Sequence, residues 1–313
     1  MNEDSASPKF SVIVSSYNYA DFVVDAVNSA LRQSHPPHQV IVVDDGSKDL
    51  SFERLQAAFH SDPKVTLIRQ ENGGQMAAWM TGFSQCTGDW VGFLDSDDLW
   101  RGDFIACILK TAQSKPDADF IFCNMEKFGE NTGRMLTKSW HKRDRDLGTS
   151  ILLGCYSPRW QGVATSGNAI KVELLSRILE LPPDQVKEWK TRPDDCLFYG
   201  ADILGGRKLY LARELALHRE HGSNALLLEK QSSLKRLKYE FRREKMMAFY
   251  RSQISESSRL KCLAHVEFRT KESPTFAEFM AYVKIAWAAP EALNRRLRKS
   301  LQIAQHYFLE KIH

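Results

Sequence analysis

Short apolar runs and helically spaced apolar positions take turns along the first 125 residues. Phe10-Ser-Val-Ile-Val-Ser15, rich in β-branched and aromatic residues, predicts a strand. Phe22, Val23, Ala26, Val27, Ala30 and Leu31 then recur at helical spacing and stop before Pro36-Pro37. Val40–Val43 predicts a second buried strand, Leu55, Ala58 and Phe59 a helix, and Val65–Ile68 a third strand. A helix from about Gln75 to Gln85, a strand over Trp90–Leu94, a helix over Phe104–Gln113 and a strand over Ala118–Cys123 continue the alternation. Near-continuous apolar strands bridged by short helices predict an α/β fold on a doubly wound, mostly parallel sheet. Ligands of such sheets bind beyond the carboxyl ends of the strands, so the polar residues just after each strand are where function is sought.

From residue 126 to 190 the pattern blurs, with one helix predicted around Lys171–Leu181. Helix character resumes over 194–206, and Lys208–Leu211 predicts a short strand. Beyond Asn224 the chain is basic and helical, with helices predicted at 227–254, 258–271, 275–289 and 291–312. The division this suggests is one domain over 1–224, itself halved near residue 125, and a basic helical region over 225–313.

Composition narrows the class. With 43% hydrophobic residues the 313-residue chain can bury a sizeable core, which excludes a disordered protein or a small disulfide scaffold. A mean hydropathy of −0.39 and the lack of an apolar run near twenty residues argue against a membrane span. The polar start MNEDSASPKF lacks the apolar core of a secretory leader. Six cysteines without C-x-x-C spacing fit a reducing cytosol and no zinc site, so a cytoplasmic location is expected. The net charge of +4 conceals a split: residues 207–313 carry +11, residues 1–206 carry −7, and no aspartate follows Asp202. Acidic chemistry is expected first and a basic surface after it.

Three predicted strand ends carry polar clusters: Ser15-Ser16-Tyr17-Asn18, Asp44-Asp45-Gly46-Ser47 and Asp95-Ser96-Asp97-Asp98. Taken alone, the second reads as a turn that caps a helix. The third is less easily a solvated cap, because three carboxylates in four residues repel one another and desolvate poorly beside a buried strand. A divalent cation relieves that cost, and hard oxygen ligands suit Mg²⁺ or Mn²⁺ with positions left for substrate phosphates. No G-x-x-x-x-G-K-[ST] and no G-x-G-x-x-G after the first strand is present, which disfavours a P-loop NTPase or a dinucleotide oxidoreductase.

Phe10–Asn18, Val40–Ser47, Glu71-Asn-Gly-Gly74 and Gly88–Asp98 resemble, in order and spacing, the non-processive family 2 glycosyltransferases of GT-A fold. A weaker stretch runs from Gly167 to His221. The resemblance implies a nucleotide-sugar-binding half over 8–125 and an acceptor and catalytic half over 126–224. It implies a donor site drawn from Ser15, Tyr17, Asn18, Asp44, Asp45, Asn72, Gly74, Asp95, Ser96, Gly167 and Arg219. Tyr17 would pack on the base and Asp44 accept its hydrogen, although Tyr17 by itself would read as a core aromatic. Asp95 and Asp97 match the D-x-D motif and, with His221, would hold Mn²⁺ or Mg²⁺. Arg192-Pro-Asp-Asp-Cys-Leu197 resembles the E-D motif, with Asp194 in place of Glu; Asp195 would be the general base and Asp194 its neighbour. Without the resemblance, the two read equally as a helix cap and a first-turn acid. His218-Arg219-Glu220-His221 resembles Y-R-x-H, with His218 for tyrosine. No Q-x-x-R-W follows, so a processive synthase is not expected.

The implied activity is metal-dependent transfer of a sugar from a nucleotide diphosphate to a saccharide, lipid-linked or protein acceptor hydroxyl with inversion. Its expected setting is cell-surface polysaccharide, lipopolysaccharide or other glycoconjugate synthesis. The alternative is a catalytically silent nucleotide-sugar-binding scaffold acting through its basic helices. In the last predicted helix Leu293, Leu297, Leu301 and Phe308 fall near one face, flanked by Arg295, Arg296, Arg298 and Lys299. Packing or homo-oligomerisation is preferred there over peripheral contact with the inner face of an anionic membrane. No nucleic-acid module pattern is present.

Overall fold

The computed structural model describes residues 8–136, 142–221, 233–254 and 259–312. The predicted alternation is present: β1 (Phe10–Ser16), α1 (Val23–Leu31), β2 (Gln39–Asp44), α2 (Ser51–Phe59), β3 (Val65–Arg69), α3 (Gln75–Phe83) and β4 (Trp90–Asp95). Next come β5 (Leu99–Trp100), α4 (Phe104–Ser114), β6 (Phe120–Gly129), β7 (Gly133–Arg134) and β8 (Arg145–Gly148). The blurred region also contains α5 (Ile151–Tyr156), a 3₁₀ turn (Thr165–Gly167), β9 (Asn168–Lys171), α6 (Val172–Leu179) and α7 (Pro183–Glu188). It leads into α8 (Asp194–Ile203) and β10 (Lys208–Glu220).

These strands form one sheet in the order β3-β2-β1-β4-β9-β6-β10-β5, with β7 beside β6 and β8 beside β10. β3, β2, β1 and β4 are parallel, as are β6 and β10, while β9 runs antiparallel between β4 and β6. Both faces are covered, which explains strands that read as unbroken apolar runs: Val12, Ile13, Val14, Val40, Ile41, Val43, Phe93 and Leu94 are buried. The registers fix the site. Ser16 lies opposite Asp44, and Ser15 opposite Asp95, so the three polar strand ends share one edge of the sheet.

The strand predicted at Lys208–Leu211 runs on to Glu220, with register shifts around Glu214. The shifts let a strand with polar residues at its middle keep pairing with β6. Its continuation brings His218 and Arg219 back to the tip of β4.

The basic segment supplies α9 (Ser233–Ser252), a 3₁₀ turn (Leu260–Leu263), α10 (Ala264–Phe268), α11 (Phe276–Trp287) and α12 (Leu293–Ile312). The first residues of the helix predicted at 227–254, and residue 258 of the next, lie outside the described residues. α9 shares the core of the sheet, while α10, α11 and α12 pack with Leu152 and Leu153 of α5 in a second core. Met246, Met247 and Tyr250 of α9 belong to the cluster that covers the sheet, and Tyr250 Oη donates to the carbonyl of Ile178 at 2.8 Å. Gly200 lets that ring approach; a Cβ there would sit 3.1 Å from it.

A buried ionic network joins α10 and α11 to the sheet. Lys271 donates to Leu147 O (2.6 Å) and Ser150 Oγ (2.8 Å), and Arg145 pairs with Glu278 at 3.3 Å. Glu267 accepts from Leu152 N and Tyr282 Oη, and Lys208 lies 2.6 Å from Asp202. Such charges are retained only because each meets an opposite charge or a hydrogen-bond partner.

Candidate active site

The edge formed by β1, β2 and β4 is where the acidic residues gather. Carboxylate oxygens of Asp95, Asp97 and Asp98 all lie within 4.8 Å of one another. The three are not equivalent. Asp98 is fully buried and saturated: it accepts from Ser166 Oγ (2.6 Å), the Arg219 backbone N–H (2.9 Å) and His218 Nδ1 (3.1 Å). Burial pulls His218 down, but Asp98 and then Asp97 outweigh it and hold its imidazole above the usual range. Asp98 is therefore an anchor, tying the tip of β4 to β10 and to the Thr165–Gly167 turn.

Asp95 and Asp97 keep more of their charge uncompensated. Asp95 receives only neutral donors, Gln75 Nε2 at 2.5 Å and the Thr165 hydroxyl, and its N–H binds Ser166 Oγ. Burial, then Asp98, Asp97 and Asp194, push its carboxyl well above the carboxylate range. Asp97 is buried, 3.1 Å from His221 Nε2, and is raised by burial and by Asp98 against the opposing His221 contact. The Tyr19 phenol is likewise pushed up by burial and then by Asp97, Asp95 and Asp98. Clustered hard oxygens with this surplus of negative charge suit a divalent cation such as Mg²⁺ or Mn²⁺.

The β2 tip behaves as a scaffold with one opening. Asp45 accepts from Gln70 Nε2, Gly73 N and Gly74 N at 2.7–2.9 Å, while Asn72 Nδ2 binds its carbonyl. That cradle fixes the Glu71–Gly74 loop. Gly74, at φ +89°, could not carry a side chain, because a Cβ would lie 2.5 Å from Lys190 Cα. Asp44 accepts from Ser47 N at 3.1 Å and lies 3.5 Å from Arg69 Nε, yet its Oδ1 is buried without a partner among the described residues. Asn18, at φ +58°, binds Ser47 and Lys48 and so joins the two loops. Tyr17 is 40% exposed at this edge, which disposes of its reading as a core aromatic. Ser15 contributes a hydroxyl 3.3 Å from Gln75 Nε2, and Ser96 is buried.

On the other side of the cleft α8 opens with the acid pair. Asp195 is fully buried; its Oδ2 accepts from Tyr239 Oη at 2.9 Å and lies 3.8 Å from Arg192, while Oδ1 has no partner among the described residues. Burial raises its carboxyl, against the pull of Arg192 and Tyr239. Asp194 is pushed up to about 7 by burial and by Asp195, and is close enough to Asp95 to act on it. Arg219 packs between the rings of Phe22 (4.6 Å) and Phe128 (4.4 Å) and donates to Asp97 O, so it braces the fold. Gly167 is buried against Val163 and Cys123.

The structure thus brings Asp95, Asp97, Asp194 and His221 to the cleft beside Tyr17 and the Asp44 tip, and turns Asp45, Arg219 and Gly167 inward. Gln75, Tyr19 and Tyr239 are additions. Gln75 directly follows the Glu71–Gly74 run, a signal open to inspection; Tyr239, on α9, had none.

The model for Glycosyl transferase family 2 matches residues 11–178. The uncharacterized glycosyltransferase alr2836 of Nostoc sp. is 34% identical over 223 residues, 69% of this chain and 66% of that protein. Two further curated relatives match over only 42% and 38% of their own lengths, the second of them, from Bacillus subtilis, named for teichuronic acid biosynthesis. Among solved structures, S. aureus TarS 1-349 in complex with UDP-GlcNAc superposes with a TM-score of 0.57 at 17% identity, covering 97% of this chain and 90% of that one. The mannosyltransferase PcManGT of Pyrobaculum calidifontis, in complex with GDP-Man and Mn²⁺, gives 0.53 at 18% identity, covering 98% and 87%. These likenesses show the GT-A fold. No helix among the described residues is long and apolar enough to cross a membrane.

Proposed function

This chain belongs to glycosyl transferase family 2, and we propose that it moves a sugar from a nucleotide diphosphate to an acceptor hydroxyl with inversion. One observation carries the reading: Asp95 and Asp97 present clustered, under-compensated carboxylates at the edge where β1, β2 and β4 end. Asp97, Asp95 and His221 would hold Mn²⁺ or Mg²⁺, and a cation there supplies Lewis-acid stabilisation to the departing diphosphate.

The chain's own groups do the rest. Tyr17 offers an exposed ring for the base, and the unpartnered Oδ1 of Asp44 suits a base N–H; Ser15, Asn18, Asn72, Gly74 and Ser96 shape the surrounding loops. Gln75 holds the Asp95 carboxylate in one orientation. Asp195 would be the general base: Tyr239 and Arg192 fix one oxygen, and the other, closed off from solvent in this structure, would take the proton of the acceptor hydroxyl once the bound acceptor reaches it, as that hydroxyl oxygen attacks the anomeric carbon. The attacking oxygen gains the glycosidic bond, the diphosphate leaves with the electron pair of the old one, and the proton stays on the Asp195–Asp194 pair. Attack opposite the leaving group inverts the centre. Residues 8–125 form the donor half and 126–224 the acceptor half, with the 225–313 helices buttressing the base through Tyr239. A saccharide hydroxyl of a surface polysaccharide or glycolipid precursor is the acceptor class, in keeping with the teichuronic acid relative.

A thermal-shift panel of UDP- and GDP-sugars, with and without Mn²⁺, tests this. A rise in melting temperature for a subset of donors, larger with Mn²⁺ and followed by release of free nucleotide diphosphate, is expected. Binding without release under any acceptor mixture would instead favour a silent nucleotide-sugar-binding protein, and no shift with any donor would end both readings.

A further inference from the structure

The α11–α12 hairpin leaves one side of itself uncovered. Its inner side is accounted for: Ala281, Tyr282 and Ile285 of α11 and Ile303 of α12 pack with Leu152, Leu153 and Phe268. Phe279 stacks on Tyr307 at 4.8 Å along the seam between the two helices, and Phe276, at the start of α11, lies 6.3 Å from Tyr307 near the end of α12, so the helices run antiparallel. One step past that seam, away from the core, α11 carries Phe276, Met280 and Trp287. On α12 the corresponding stripe is Leu293, Leu297, Leu301 and Phe308, and three of these are 60%, 69% and 61% exposed (Leu293, Leu301 and Phe308). Because the helices are antiparallel and share the seam, the two stripes lie on the same outward side as one apolar face.

Charge says what covers it. Exposed Lys284, one turn from Met280 and Trp287, and exposed Arg298, one turn from Leu301, flank the stripes. The hairpin's acids are spent elsewhere: Glu278 is buried against Arg145, Glu291 pairs with Lys299, and Glu310 accepts from Ser273 N. Apolar residues rimmed by cations alone complement an anionic lipid surface. A two-fold dimer through the same face would bring the cations of each copy against those of the other.

We propose that this face docks on an anionic phospholipid bilayer, the apolar stripes resting at the headgroup boundary and Lys284 and Arg298 meeting phosphates. Docking would hold the cleft beside membrane-borne acceptors, but it is read without any sugar donor and is independent of the transferase reaction.

The test is co-sedimentation of the full chain with vesicles of phosphatidylglycerol and phosphatidylcholine, against phosphatidylcholine alone. Binding to the anionic vesicles that weakens as salt rises is expected. Leu297→Glu with Leu301→Glu should abolish it, and Lys284→Ala with Arg298→Ala should reduce the partition roughly twenty-five-fold, at about fivefold per cation. All of these positions are exposed, so unchanged melting temperatures are expected and verify folding. Failure to bind, equal binding by folded stripe variants, or a dimer that Leu301→Glu dissociates would each overturn the proposal.

Discussion

The phenol of Tyr239 on α9 donates a 2.9 Å hydrogen bond to Oδ2 of Asp195, the second residue of α8. A helix from the basic half of the chain thus orients the acid assigned as general base. Tyr239→Phe removes one charge-assisted hydrogen bond and leaves the donor side untouched. The expected result is a fall in kcat of about ten- to a hundredfold with donor KM unchanged. The acid limb of the pH profile should also move upward, because the bond favours the ionised carboxylate. A loss of KM and melting temperature together, with the profile unmoved, would reduce Tyr239 to a packing residue.

The acid pair sets the pH dependence. Burial and Asp195 hold Asp194 up to about 7, and Asp195 itself is raised, so the pair takes up a proton as pH falls through neutrality. A protonated pair is a poorer base, hence kcat/KM measured against pH should fall below about pH 7. In Asp194→Asn the group that titrates near 7 is gone, and the acid limb should move to lower pH. Asp195→Asn should lose about two to four orders of magnitude at every pH.

Asp98 separates folding from chemistry. It is saturated by Ser166, His218 and the Arg219 N–H, so Asp98→Asn leaves those donors partly unpaired in a buried site. Destabilisation by about 2–4 kcal/mol in urea denaturation is expected. Manganese affinity of the protein that remains folded should stay within a few-fold of wild type. A complete loss of manganese binding in folded Asp98→Asn would make Asp98 a ligand instead.

Glu278 carries the coupling between α11 and the sheet. Burial pushes its carboxyl up, but Lys271, Arg145 and the Thr275 N–H and hydroxyl outweigh it and hold it at about 2. Its ordinary value is 4.5. A folded-state value below the unfolded one gives stability that is present above about pH 4.5 and lost as pH falls toward 2. Glu278→Gln should cost about 3–5 kcal/mol at neutral pH and flatten that acid decline, as read from urea midpoints across pH.

Much of this was legible in the sequence. Apolar runs located β1 to β4 and β6, and Asp95–Asp98 declared itself by crowding carboxylates at a strand end. Residue spacing could not divide labour among those acids. Asp98 proves satisfied only because Ser166, 68 residues away, and His218, 120 residues away, fold back onto it. Tyr239 was hidden for the same reason, in a stretch whose pattern shows only a basic helix. Lys208, Lys271, Arg145 and Glu278 are charged types expected at the surface, and their burial is set by partners that only the tertiary fold supplies. In β10, polar Arg213 and Glu214 masked a strand that continues through register shifts to the site.

The most direct measurement compares wild type with Asp97→Ala for release of nucleotide diphosphate from a stabilising donor, titrated with Mn²⁺ and followed alongside calorimetric Mn²⁺ binding. Wild type should bind the ion and release diphosphate in proportion to its occupancy, while folded Asp97→Ala should do neither. Metal-independent turnover in wild type, or an Asp97→Ala protein that binds manganese and turns over normally, would contradict the cation site at the tip of β4.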